Sequence, residues 1–257
     1  MAKEKEKKKV VKFKVKKRYN LLDLVLVGIC KTVIKKPKII NLNEGKLKDL
    51  PKKCILIGNH NGAAGPYNYK TFLRKWFMVW GAHQMCESFR SRRAYLYDIF
   101  YQKKLKYKKF KARLLSIVFG YIAPWPYKAT GMVPVYYDER IIHTYKYSLQ
   151  CLEQDVPLLI FPENSDDGYK DPVEEFWPGF IHLTKLYYKR HGVDLPIYPI
   201  NYSKKQKADK KTGRKKVPKK MVIGKPLYYQ ELAKKHTDEE ITKIFMDQVN
   251  SLKEVTQ

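Results

Sequence analysis

The chain has 257 residues, 44% of them hydrophobic and 14% aromatic, enough for one α/β domain with a substantial core and too much apolar content for global disorder. Against 25 Asp and Glu stand 53 Lys and Arg, a formal charge of +28 that exceeds any need of solubility, so an anionic partner is expected. Nucleic acid and an anionic membrane surface both meet that electrostatics, since each presents dense phosphate to basic side chains.

Residues 3–18 form a basic arm with ten Lys or Arg against Glu4 and Glu6, interleaved with Val10, Val11, Phe13 and Val15. It leads to a broadly apolar helix from Leu21 that Asn20 can cap. A polybasic segment joined to such a helix fits an interfacial anchor; the alternative is a frayed tail before a helix packed on the core. The stretch 21–34 is broken by Asp23 and Lys31 and lacks a small-residue cleavage site, so it does not read as a signal peptide. No window supplies the roughly 20 mostly apolar residues of a membrane-crossing helix. Cys30, Cys54, Cys86 and Cys151 are scattered without a close pair. They suggest neither a metal site nor a disulfide framework, and a reducing cytosolic setting is the default.

The apolar run 54–57 predicts a buried strand, followed at once by Gly58-Asn59-His60-Asn61-Gly62 and the small residues Ala63, Ala64 and Gly65. Small side chains there let a ligand or another backbone approach closely. Pro66 can start a helix over 67–75, and 76–81 reads as a second strand. Over 88–113, aromatic residues from Phe89 to Phe110 alternate with basic residues from Arg90 to Arg113, a composition shared by single-stranded nucleic-acid grooves and membrane interfaces. The apolar stretch 114–122 and Pro124-Trp125-Pro126 come next; an exposed apolar element favours lipid, and a buried helix is the ordinary alternative. Strand 133–136 follows Gly131, then a helix over 141–153.

Strand 158–161 runs into a second motif, Phe161-Pro162-Glu163-Asn164-Ser165-Asp166-Asp167-Gly168. Helix 180–189, strand 196–201, a basic cluster over 203–220 that reads as a solvated loop, strand 221–224 and a closing helix over 238–253 complete the chain. Strands alternating with helices predict an α/β fold, a single domain whose largely parallel central sheet is flanked by helices. In such sheets ligands bind beyond the carboxyl ends of the strands. That makes His60 a candidate general base, and Glu163 a candidate acid or structural partner.

The order of these pieces resembles the glycerolipid acyltransferase family, whose best-known members are lysophosphatidic acid acyltransferases, over about 54–252. The family's Asn-His followed by four residues and an Asp is matched by Asn59-His60, with Gly65 at the Asp position. Its Gly, short apolar strand and Arg is matched from Gly131 to Val135, with Tyr137 where the Arg would stand. Its Phe-Pro-Glu-Gly-Thr-Arg is matched by Phe161-Pro162-Glu163, then departs at Asn164-Ser165-Asp166. Its Pro-flanked strand is matched by Pro196 to Pro199.

The resemblance implies a division into an arm and interfacial helix, 1–45, and an acyltransferase-like α/β domain, 46–257, carrying a basic-aromatic insertion at 88–126. It implies transfer of a fatty acyl chain from acyl-CoA or acyl-carrier protein to a lipid-like acceptor in phospholipid or glycerolipid metabolism, without a further cofactor or metal, by a peripheral protein on the cytoplasmic face of a membrane. The histidine would take the acceptor's proton, the Asp would orient the histidine, and arginines would hold a phosphate. This chain keeps the histidine and lacks the Asp and both arginines. Glu163, Asp166 or Asp167 is then the candidate replacement carboxylate, and a neutral or cationic hydroxyl or amine fits better than a phosphate-bearing acceptor. Asn59, Gly62, Gly65, Gly131, Tyr137, Asn164 and Ser165 are the candidate substrate-binding residues. A catalytically inactive, lipid-binding relative is the alternative, and a nucleic-acid binder, which the basic-aromatic stretch also permits, ranks behind it.

Overall fold

A computed structural model describes residues 10–62, 64–73, 75–205 and 219–255. The beginning of the basic arm, Ala63, and most of the second basic cluster lie outside them. The elements run α1 (Leu21–Val33), β1 (Lys38–Asn41), β2 (Ile55–Gly58), α2 (Ala64–Phe72), β3 (Met78–Ala82), α3 (Phe89–Ala94), a wide-turned π-helix (Tyr95–Lys104), α4 (Lys109–Ile122), α5 (Pro124–Thr130), β4 (Met132–Val135), α6 (Ile141–Glu153), β5 (Leu158–Ile160), α7 (Gly179–His191), β6 (Pro196–Ser203), β7 (Lys220–Ile223), β8 (Leu227–Tyr228), α8 (Tyr229–Leu232) and α9 (Asp238–Ser251). Short 3-10 turns precede β2 and α3.

The strands order β1-β7-β6-β2-β5-β3-β4, with β8 on the side of β6. Strands β6, β2, β5, β3 and β4 are mutually parallel. Among the described residues, antiparallel strands pair only with β6, as β7 and β8 do. The chain is therefore one α/β domain with a mostly parallel central sheet flanked by helices. Both faces are covered, which explains why the strands read as unbroken apolar runs. Ile55, Ile57, Leu158 and Ile160 point to the side packed by Leu152, Phe180, Ile241 and Phe245 of α6, α7 and α9. Leu56 and Leu159 point the other way, into Tyr69 and Leu73 at α2 and Phe77. Each of these fully buried aliphatic side chains contributes about 1.5–3 kcal/mol.

Before α1, the described part of the arm, from residue 10, is docked on the domain rather than frayed. Phe13 stacks on Tyr147 (4.4 Å), and Val11 exchanges hydrogen bonds with the Tyr136 and Tyr147 hydroxyls. Trp76 Nε1 donates to the Lys16 carbonyl at 2.5 Å, and Tyr19 meets the Trp76 ring edge-on. Asn20 caps α1 through a reciprocal box with Asp23, and Asp23 pairs with Lys16. Asp23 is the buried residue of α1, while Leu21, Leu22, Leu24, Val25, Ile29 and Val33 are exposed. No helix among the described residues is long and apolar enough to cross a membrane.

Residues 88–130, between β3 and β4, are a helical excursion. Ala112, Ser116 and Gly120 form the buried stripe of α4, small enough for α3 to approach closely. Phe110, Leu114, Ile117, Val118 and Tyr121 lie opposite, in solvent.

Candidate active site

Because β2, β4, β5 and β6 run parallel, the residues after them share one edge of the sheet. His60 follows β2, Tyr137 follows β4, Glu163 follows β5 and Lys204 follows β6. The His60 loop turns through the left-handed region at Asn61 (φ 45°) and Gly62 (φ 68°). This reversal brings the Gly62 carbonyl back to His60 Nδ1 at 2.5 Å. A carbonyl only accepts, so Nδ1 carries the hydrogen and Nε2 keeps its lone pair. Nε2 holds no hydrogen bond among the described residues.

Glu163 Oε1 accepts from the His60 main-chain N–H at 2.8 Å, so the carboxyl fixes the loop rather than the imidazole. The imidazole stacks on Tyr169 (4.6 Å) and meets Phe161 edge-on (5.1 Å). The ring is partly open to solvent, yet this crowding withdraws enough water to push its pKa down to about 4, with Lys104 and Lys204 adding to the shift and the Gly62 bond opposing it. Burial likewise pushes Glu163 up to about 7, against the opposing pull of the His60 N–H and Lys104. At neutral pH the histidine is an uncharged base.

Asn59 is buried and spends its amide on architecture. It donates to the Tyr202 carbonyl (3.0 Å) and accepts from Tyr69 Oη (2.8 Å) and Tyr202 N (2.7 Å), locking the end of β2 to β6. Gly65, at the place of the family's Asp, packs on the same loop: a Cβ there would stand 2.1 Å from the His60 carbonyl oxygen. An aspartate at 65 is therefore incompatible with this loop. Gly131 sits at the amino end of β4, against Trp76, a strand's length from the His60 edge. Tyr137 is exposed on the His60 edge. Asn164 binds Glu175 through its main chain and its side chain, and the Ser165 hydroxyl accepts from Lys104 Nζ at 2.6 Å. Asp166 and Asp167 are exposed, and neither makes a hydrogen bond to His60 among the described residues.

Lys104, Lys204, Tyr169 and Tyr127 belong to the site without having been singled out in the sequence. Lys104 ends the π-helix, lies 5.7 Å from the Tyr169 ring, and feels Asp166 and Glu163, while burial lowers its pKa. Lys204 Nζ lies beside Gly62, 3.2 Å from where a Cβ would be. Tyr169 is within electrostatic reach of Tyr95, Tyr137 and Glu163, and half-buried Tyr127 of Tyr67, Tyr95 and Tyr169. The surroundings of His60 thus carry two ammonium groups and several tyrosines. Lys104 comes from the excursion, whose signal was a composition and not a motif; Lys204 opens the second basic cluster. Among the described residues no group of three metal-ligating side chains assembles.

No family model matches the chain. No curated protein matches it either. Among solved structures it is similar to the crystal structure of the 1-acyl-sn-glycerophosphate (LPA) acyltransferase PlsC from Thermotoga maritima, at 13% identity and a TM-score of 0.47, covering 86% of this chain and 74% of that one.

Proposed function

We propose that the chain is a peripheral membrane acyltransferase that moves a fatty acyl chain from a thioester, acyl-CoA or acyl-carrier protein, to a hydroxyl or amine of a lipid-like acceptor. The observation that carries this reading is His60, held by the Gly62 carbonyl with Nε2 unengaged at the carboxyl edge of a parallel sheet. Nε2 takes the acceptor's proton as its oxygen or nitrogen attacks the thioester carbonyl carbon. The tetrahedral intermediate collapses, the C–S bond breaks, and the thiolate leaves with the proton that the imidazolium returns. Burial, with a smaller push from Lys104 and Lys204, keeps His60 neutral, and the two lysines give an anionic donor or intermediate a positive surround. Tyr169 and Phe161 hold the ring against rotation. The exposed apolar side chains of α1 and α4, set among basic residues, support seating on an anionic membrane from which the acceptor is drawn.

The test is thiol release from acyl-CoA by the purified full chain. Release that requires added membrane lipid extract, and that falls at least about a hundredfold in His60→Ala, is the expected result. Unchanged turnover in that variant removes His60 from the mechanism.

A further inference from the structure

Away from His60, α3, the start of the π-helix and α4 enclose a solvent-open groove of about 630 Å³, lined by Phe89, Arg90, Arg93, Ala94, Tyr97 and Arg113. That volume suits a small ligand or a lipid headgroup. The floor is fixed: Phe89 stacks on Tyr121 (4.1 Å), and a Cβ at Gly120 would stand 2.9 Å from its ring. The three arginines around it differ from their neighbour Arg92, which donates to the Glu87 and Gly120 carbonyls and so serves the helix junction. The guanidinium groups of Arg90, Arg93 and Arg113 make no ion pair or hydrogen bond among the described residues. Of the acids nearest in sequence, Glu87 is occupied by His83, Ser91 and Arg140, and Asp98 of the π-helix makes no ion pair with these arginines among the described residues. The groove therefore gathers three uncompensated guanidinium groups over an aromatic floor, a match for a phosphate on an amphiphile.

Alongside it lies the exposed stripe of α4, from Phe110, 83% exposed, through Leu114, Ile117 and Val118 to Tyr121. We propose that this groove binds the phosphate headgroup of an anionic phospholipid while the α4 stripe enters the acyl layer, so that the excursion is a lipid-reading element distinct from the His60 site. Nucleic acid would use the arginines but leave the apolar stripe in water, which is why the lipid is the better fit. This proposal rests on the reading of the chain as a peripheral membrane protein.

The experiment is co-sedimentation of the full chain with phosphatidylcholine vesicles, with and without phosphatidylserine. Wild type is compared with an Arg90→Ala/Arg93→Ala/Arg113→Ala variant and with a Lys234→Ala/Lys235→Ala/Lys243→Ala variant that removes the same charge elsewhere. Circular dichroism verifies folding, and an Arg90→Gln/Arg113→Gln variant serves if the triple change unfolds the chain. The arginine variant is expected to lose about tenfold or more in affinity for phosphatidylserine vesicles, and the lysine control less than about twofold. Equal losses in the two variants, or none in the arginine variant, overturn the groove while leaving membrane association standing. Wild type that ignores all vesicles and binds an oligonucleotide overturns both.

Discussion

His60 is held where a carboxylate partner would ordinarily be expected, but the group that holds it is a main-chain carbonyl. The reason is local: positive φ at Asn61 and Gly62 turns the loop back on the imidazole, and Gly65 packs so closely on the His60 carbonyl that no side chain can grow there. The histidine and Glu163 were legible in the sequence because each follows a short apolar strand. Their relation was not, because a bond from a carboxylate to a backbone N–H leaves no trace in residue spacing. The two groups titrate in opposite senses. His60, lowered from 6.5 to about 4, makes stability rise with pH across that interval, since the unfolded chain binds the proton first. Glu163, raised from 4.5 to about 7, makes stability fall as pH rises across its own interval. In Glu163→Gln, which keeps an acceptor for the His60 N–H, only the histidine contribution remains. The melting temperature of that variant relative to wild type should therefore climb between pH 4.5 and 7. A difference that stays constant over this range contradicts the raised carboxyl.

Among the elements, the buried strands were the most legible and the arm the least. The six strands read from the sequence all form the central sheet or its edge within a residue or two of their expected places, because burial on both faces demands unbroken apolar runs. Strands β1 and β8 were missed, being short and peripheral, with Lys38 and Asn41 bounding the first. The arm reads as basic residues interleaved with a few apolar ones, yet what docks it is aromatic. Trp76 takes the Lys16 carbonyl, packs with Tyr19 and lies 3.7 Å from the ammonium of buried Lys70, whose pKa burial drives far down. Trp76→Ala should cost about 2 kcal/mol, below the range for a fully buried tryptophan, and should release residues 10–19. Trypsin digestion checks this: faster cleavage within 12–18 is expected, whereas an unchanged cleavage rate would mean that the arm is held by other contacts.

For the whole molecule, the parallel sheet converts four separate stretches of sequence into one edge, to which Lys104 and Lys204 bring positive charge beside His60. The α/β class was readable from alternation, since periodicity survives in any chain that buries a two-sided sheet. The tyrosines and the lysines were not, because the helices that deliver Tyr95, Lys104 and Tyr127 carry no motif and acquire meaning only when packed against the Glu163 loop. The proposal that this edge transfers an acyl chain with His60 as base is tested by following the acyl chain itself. The purified protein is given acyl-CoA labelled in the acyl group together with membrane lipid extract, and the lipids are separated by mass. Label entering a lipid with wild type and not with His60→Ala is the predicted result; label that enters no lipid, or enters equally with both proteins, contradicts it.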